Sequence, residues 1–253
     1  MKRALALTLF RPALLLVAAL VVALLFAITG GDALAVTNPQ VATPYFVLVG
    51  VVCLVVAHRI LRARGSSLRE RIGYEPRRLP RDVLVGLGIA IALYVPFTVG
   101  LVGSSFLVLG PEPWNRFAEV FAAPTTSQLT WSPAAAFTIA IVTAIAFPLV
   151  NAPAEEIIYR GLAIDAFHEA GTPASPRART ALAVVVPSVV FGIQHVLLAP
   201  TTLGMLLYLG AFTLWGLGAA LFAVHLQRLM PLVAAHVITN AATGVIPLVI
   251  LLS

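Results

Sequence analysis

Charge is what this sequence has least of. Of its 253 residues, 16 are Lys or Arg and 10 are Asp or Glu, 10% in all, against about 25% in a soluble domain. A chain so poor in charge cannot coat itself with polar surface. Its hydrophobic content of 60% and mean hydropathy of +1.00 make lipid its solvent. There is one cysteine, Cys53, inside an apolar run, which excludes an intramolecular disulfide and a thiolate metal cluster. No basic stripe is interleaved with aromatics, so the net charge of +6 does not point to nucleic acid. Long internal repeats and low-complexity segments are also missing.

What is present is a series of apolar runs. A spanning helix needs about 20 mostly apolar residues. Such runs are read at Pro12–Ile28, Pro44–Ala57, Val83–Val108, Pro133–Val150, Ala181–Leu198, Leu203–His225 and Leu232–Leu252. The first is too long for a signal-peptide core and is read as a retained span. A helix of mixed character, Ala154–Ala170, follows Pro148 and Pro153, which are expected to kink or break the chain. The basic residues sit between the runs: Lys2, Arg3 and Arg11, then Arg59 to Arg81, then Arg177, Arg179 and Arg228. With the N-terminus inside, fourteen of the sixteen fall on the cytoplasmic side, which gives seven spans with the C-terminus outside. An eighth span near Glu155 would put Arg177, Arg179 and Arg228 on the wrong side. The expected fold is therefore all-α, a polytopic bundle of seven to eight spans. It forms one integral membrane domain over 1–253, with N-terminal spans in 1–132 and the chemistry in 133–253, at the plasma membrane. The segment Gly65–Arg81 is read as a solvated loop on anionic headgroups.

Ionisable residues inside membrane helices are rare and usually functional. Three groups stand out. Glu156 and Arg160 lie at i and i+4 and face each other, while Glu155 points about 100° away. Phe191 and His195 share a face on the fifth span. His236 and Asn240 share a face on the last. Singly, each group also fits a polar helix contact or an interfacial helix start. Together, a glutamate, two histidines and an asparagine on three helices can abstract a proton, donate one and hold an oxyanion. Glu155, His195 and His236 also match a catalytic zinc ligand set, and spacing does not separate the two chemistries. There is no HExxH helix.

At these residues the chain resembles the CPBP family of intramembrane endopeptidases, which includes CAAX prenyl proteases and bacteriocin-processing or immunity (Abi-like) proteins. That family is marked by EExxxR, FxxxH and HxxxN on successive membrane helices. Here they read Glu155-Glu156-Ile-Ile-Tyr-Arg160, Phe191-Gly-Ile-Gln-His195 and His236-Val-Ile-Thr-Asn240, in that order, with Gly161 completing the usual RG. Tyr159 stands where the family often has Phe. The likeness covers about Pro148 to Thr243. It implies that Glu155 and His195 activate the attacking water, that His236 and Asn240 stabilise the oxyanion, and that Glu156 and Arg160 hold the site together. The family's mechanism has been argued both as a metal-dependent (metalloprotease) one and as a glutamate-dependent one without metal. The metal-free reading, with no cofactor, is preferred because the oxyanion role accounts for Asn240 and a zinc site would not need it.

The expected activity is hydrolysis of a peptide bond in a membrane-associated or exported peptide or protein, with the bilayer as the other partner. The Ala, Val and Arg content points to a prokaryotic source, where peptide export, bacteriocin maturation or self-immunity fits better than prenyl processing. The alternatives are a non-catalytic binding or immunity protein of the same fold, and a transporter or proton relay. Against the last stands the lack of paired broken helices. His58 and His225 lie at span ends, and Asp165, His168 and Glu169 at an exposed helix end. Trp114, Trp131 and Trp215 fit anchoring or packing, and Gly216 with Gly218 fits close helix contact.

Overall fold

A computed structural model describes residues 1–122, 131–170 and 175–252, apart from the side chains of 34, 39 and 246–252. The described residues form seven long helices: α1 (Lys2–Ile28), α2 (Pro39–Ala63), α4 (Leu79–Leu109), α5 (Pro133–Glu169), α6 (Pro176–His195), α7 (Thr202–Leu226) and α8 (Met230–Leu252). The short α3 (Leu68–Ile72) lies between α2 and α4. No strand occurs among the described residues. The all-α expectation holds, and the chain is a multi-pass membrane protein. Among the described residues six helices are long and apolar enough to cross a bilayer, and the described part of α8, Met230–Val245, is a shorter apolar helix.

Local chemistry sets the helix starts. Asn38, Ser132, Ser175 and Thr201 each accept a backbone N–H of the first turn, and the first three are followed by proline. A cap satisfies an otherwise orphaned donor, and proline at the first position loses nothing by having no N–H. Ser67 and Glu70 form a capping box on α3, which ends at Gly73 with φ of 73°. Hydroxyls inside the spans turn back on their own helix: Thr8 donates to the Ala4 carbonyl and Ser188 to that of Val184, as a medium without water requires.

Three sequence expectations are corrected. The first helix begins at Lys2, not Pro12, and Arg11 lies within it, fully buried, rather than in a basic flank. Pro148 and Pro153 do not break the chain. α5 runs unbroken from Pro133 to Glu169, so the mixed helix is its second half and no separate eighth span occurs among the described residues. The helix accommodates the prolines by widening: Val142–Asn151 and Glu156–Ala163 are π-helical, a geometry with i→i+5 bonds that tolerates a missing N–H. The Gly65–Arg81 segment is only partly a solvated loop. Arg71 on α3 donates to the Gly161 carbonyl and pairs with Asp165 at 2.8 Å, tying α3 to α5.

The long helices pack as a ring, each against two neighbours in the order α1, α2, α5, α8, α4, α7, α6 and back to α1. The first half of α5 lies in this ring. Phe137, Ile141, Ile145 and Leu149, four residues apart, face outward. Its second half turns inward against α1, α2, α6 and α8, and every residue from Ala154 to Ile164 is buried. One end of the bundle gathers the charges. Arg3 and Arg64 reach Glu169 at 3.8 and 3.6 Å. Arg228 pairs with Asp82 at 3.0 Å and donates to the Gly73 carbonyl. At the other end Trp131 donates to Gln40 and Thr201 to the Val120 carbonyl. Consecutive helices therefore alternate in direction.

Candidate active site

The inward half of α5 brings Glu155 and Glu156 to the centre, both fully buried. Each has its own arginine. Glu156 Oε1 accepts from Arg160 Nη1 at 3.2 Å, one turn along the same helix. Glu155 Oε1 lies 3.0 Å from Nη2 of Arg11, which comes from α1. Gln194 Nε2 donates to the same Glu155 oxygen at 2.8 Å. The Gln194 carbonyl oxygen in turn accepts from Arg11 Nη1 at 2.6 Å and from the Tyr159 hydroxyl at 2.7 Å. Arg11 Nη2 also donates to Asn151 Oδ1. The other Glu155 oxygen, Oε2, is buried and has no hydrogen-bond donor among the described residues.

His236 joins the two glutamates. Its Nδ1 meets Glu156 Oε1 at 2.8 Å, and its Nε2 lies 3.3 Å from Glu155 Oε2. A carboxylate only accepts, so the Nδ1 proton is donated to Glu156. His195 Nδ1 is 2.7 Å from the Phe191 carbonyl, which likewise can only accept. That fixes the proton on Nδ1 and leaves a lone pair on Nε2. The His195 ring stacks on Phe212, with centroids 3.8 Å apart and planes 10° from parallel.

Phe191 lies under the Arg160 guanidinium, 4.6 Å from ring centroid to Cζ, and stacks on Trp215. Arg160 Nη2 donates to the Gly216 carbonyl at 3.1 Å. Gly216 owes its identity to close approach: a Cβ there would sit 3.2 Å from Ser188 Cα and 3.3 Å from the Phe191 ring. The packing role expected for Gly216 and Gly218 agrees with this, as a Cβ on Gly218 would come 2.8 Å from Leu93.

Beside His236 lies a cavity of about 170 Å³, walled by Tyr94, Phe97, Phe191, Phe212 and Trp215 and bordered by Asn240. Asn240 Nδ2 is buried without a hydrogen-bond partner among the described residues. An unpaired buried donor costs about 1–3 kcal/mol, and such groups persist where something else is to be bound.

Glu155, Glu156, Arg160, Phe191, His195, His236 and Asn240 thus share one interior region, although Glu155 touches His236 and not His195. No three His, Cys, Asp or Glu side chains among the described residues are placed to hold a metal ion. Glu155 and His236 are paired, and no hydrogen bond or ion pair joins His195 to either of them among the described residues. Sequence reasoning missed Arg11, Asn151 and Gln194 altogether. A signal for Arg11 existed: Ala4, Thr8, Arg11, Leu15 and Ala19 are the buried residues of α1, and their spacing of three to four marks a single helix face.

Residues 133–242 match the family model described as Type II CAAX prenyl endopeptidase Rce1-like. No curated protein and no solved structure matches the chain at significance. The matched segment runs from the start of α5 into α8 and contains all three motifs. The segment that turns a paired glutamate, two histidines and an asparagine into the bundle interior is thus the part of the chain that is similar to the Type II CAAX prenyl endopeptidase family.

Proposed function

We propose that the chain hydrolyses a peptide bond of a membrane-associated or exported peptide by a glutamate-dependent mechanism. Glu155 Oε2 takes a proton from water, and the His195 Nε2 lone pair orients that water. The hydroxide oxygen attacks the carbonyl carbon. His236, carrying a proton on each ring nitrogen in this step with Nδ1–H held by Glu156, donates Nε2–H, and Asn240 donates Nδ2–H, to the oxyanion that forms. Collapse breaks the C–N bond, and Glu155 returns the proton to the leaving amine. Glu156 and Arg160 hold His236.

The observation that carries this reading is a pair among the site's buried atoms that lack a hydrogen bond, an acceptor at Glu155 Oε2, which His236 Nε2 approaches to 3.3 Å, and a donor at Asn240 Nδ2. They lie on the two residues whose roles demand one of each, and both residues adjoin His236. The cavity is close to the size that holds a benzene ring, so a single apolar side chain of the substrate would fit it. Basic residues gathered at one end support a cytoplasmic N-terminus.

A library of internally quenched peptides, with and without an S-farnesyl cysteine, tests this with purified full-length protein in detergent. E155Q should lose at least about 1,000-fold in rate, and chelator should leave the wild type unchanged. Cleavage by E155Q at the wild-type rate would overturn the assignment, and loss of activity to chelator would overturn the metal-free mechanism.

A further inference from the structure

The segment that matches the protease family does not contain the whole site. We propose that Arg11, on the first helix, is the positioning residue for the Glu155 carboxylate, so that α1 completes the active site. The inference rests on the reading of Glu155 as the base.

Arg11 is buried on a helix whose other faces meet lipid: Leu9 and Leu16 are 51% and 54% exposed. An arginine in a spanning helix costs about 2.5–3.5 kcal/mol to insert, so it persists only with a partner. A residue that merely set topology would lie at the bundle's charged end, as Arg3 does with Glu169.

Arg11 instead reaches three other helices. Its guanidinium lies 5.4 Å from the Phe46 ring on α2. It bonds Asn151 and meets Glu155 on α5, and it bonds Gln194 on α6. Glu155 is the sole carboxylate within ion-pair distance of Arg11 among the described residues, because Arg160 takes Glu156. The contact is specific to one oxygen. Arg11 and Gln194 both hold Oε1, which fixes the rotation of the carboxylate and leaves Oε2 open towards His236. The same guanidinium fixes Gln194, the residue before His195. One fork on α1 thus sets the orientation of the base and tethers the turn that carries the second group on the water.

The test uses full-length R11Q, R11K, E155Q and the R11Q/E155Q double variant, with the quenched peptide that the wild type cleaves fastest. R11Q should lower kcat about 100-fold with KM within about 2-fold, the scale of a small misplacement at the reacting centre. R11K keeps the charge but not the fork, and should lose about 10-fold. The double variant should be no slower than E155Q, since residues that act as a unit are not additive. Thermal unfolding in detergent supplies a readout free of substrate. R11Q should lower Tm, and R11Q/E155Q should recover part of that loss because no buried charge is left unpaired. A wild-type kcat in R11Q, or a Tm loss that simply adds in the double variant, would overturn the proposal. If R11Q does not fold, R11K decides: a lower kcat at unchanged KM supports the role, and a wild-type kcat overturns it. E155Q inactive beside a fully active R11Q removes only the role of Arg11. An active E155Q removes the base assignment and this inference with it.

Discussion

Glu155 and Glu156 are neighbours in sequence, equally buried, and each is held by an arginine, yet the two pairs are built differently. The Glu156–Arg160 pair spans one turn of one helix at 3.2 Å. The Glu155–Arg11 pair joins α5 to α1 at 3.0 Å across most of the chain. The local pair forms whenever the helix forms, and its arginine is pinned further by the Phe191 ring and the Gly216 carbonyl. The remote pair forms only when α1 docks. The glutamate proposed to do chemistry is therefore the one whose environment depends on assembly. The glutamate that steadies His236 carries its partner with it.

The comparison can be broken from either side. After loss of cleavage in E155Q and R11Q, the largest effect is expected from R160Q. It leaves Glu156 buried without a cation and should cost about 3–5 kcal/mol, read as a fall in unfolding temperature, with E156Q in the same chain restoring part of it. Should R160Q prove as stable as the wild type, the local pair would carry no weight. G216A is a gentler probe. The added methyl meets Ser188 and Phe191, which should cost about 1–3 kcal/mol and shift Arg160 without touching Arg11. It should lower stability and activity while leaving the Arg11–Glu155 coupling in a double-mutant cycle unchanged. The smallest effect belongs to the third arginine that grips α5. Arg71 and Asp165 are paired at 2.8 Å but about one-third exposed, so D165N should change stability by only about 0–1 kcal/mol. A larger loss would mean that the α3 contact matters as much as the buried pairs.

Much of this was legible in the residues. The apolar runs gave the helices, and the basic segments gave a seven-helix alternation that the ion pairs at one end of the bundle match. The i, i+4 spacing gave the Glu156–Arg160 contact. The expected break at Pro148 and Pro153 did not occur, because a helix surrounded by others can widen into π turns instead of ending. Arg11 was read by its charge and its place near Lys2 and Arg3, and charge counting carries no information about burial. Gln194 and Asn151 carry no motif at all, and they became visible only as partners of a buried guanidinium.

The sequence by itself determined the lipid environment, the helix count and the set of groups available for chemistry, because hydrophobicity and helical periodicity are properties of single segments. Which groups meet was decided by tertiary structure alone. The pairing of Glu155 with Arg11, the contact of His236 with both glutamates and the open Oε2 each depend on side chains from different helices. Their separation is set by how those helices pack, and no spacing along the chain encodes it.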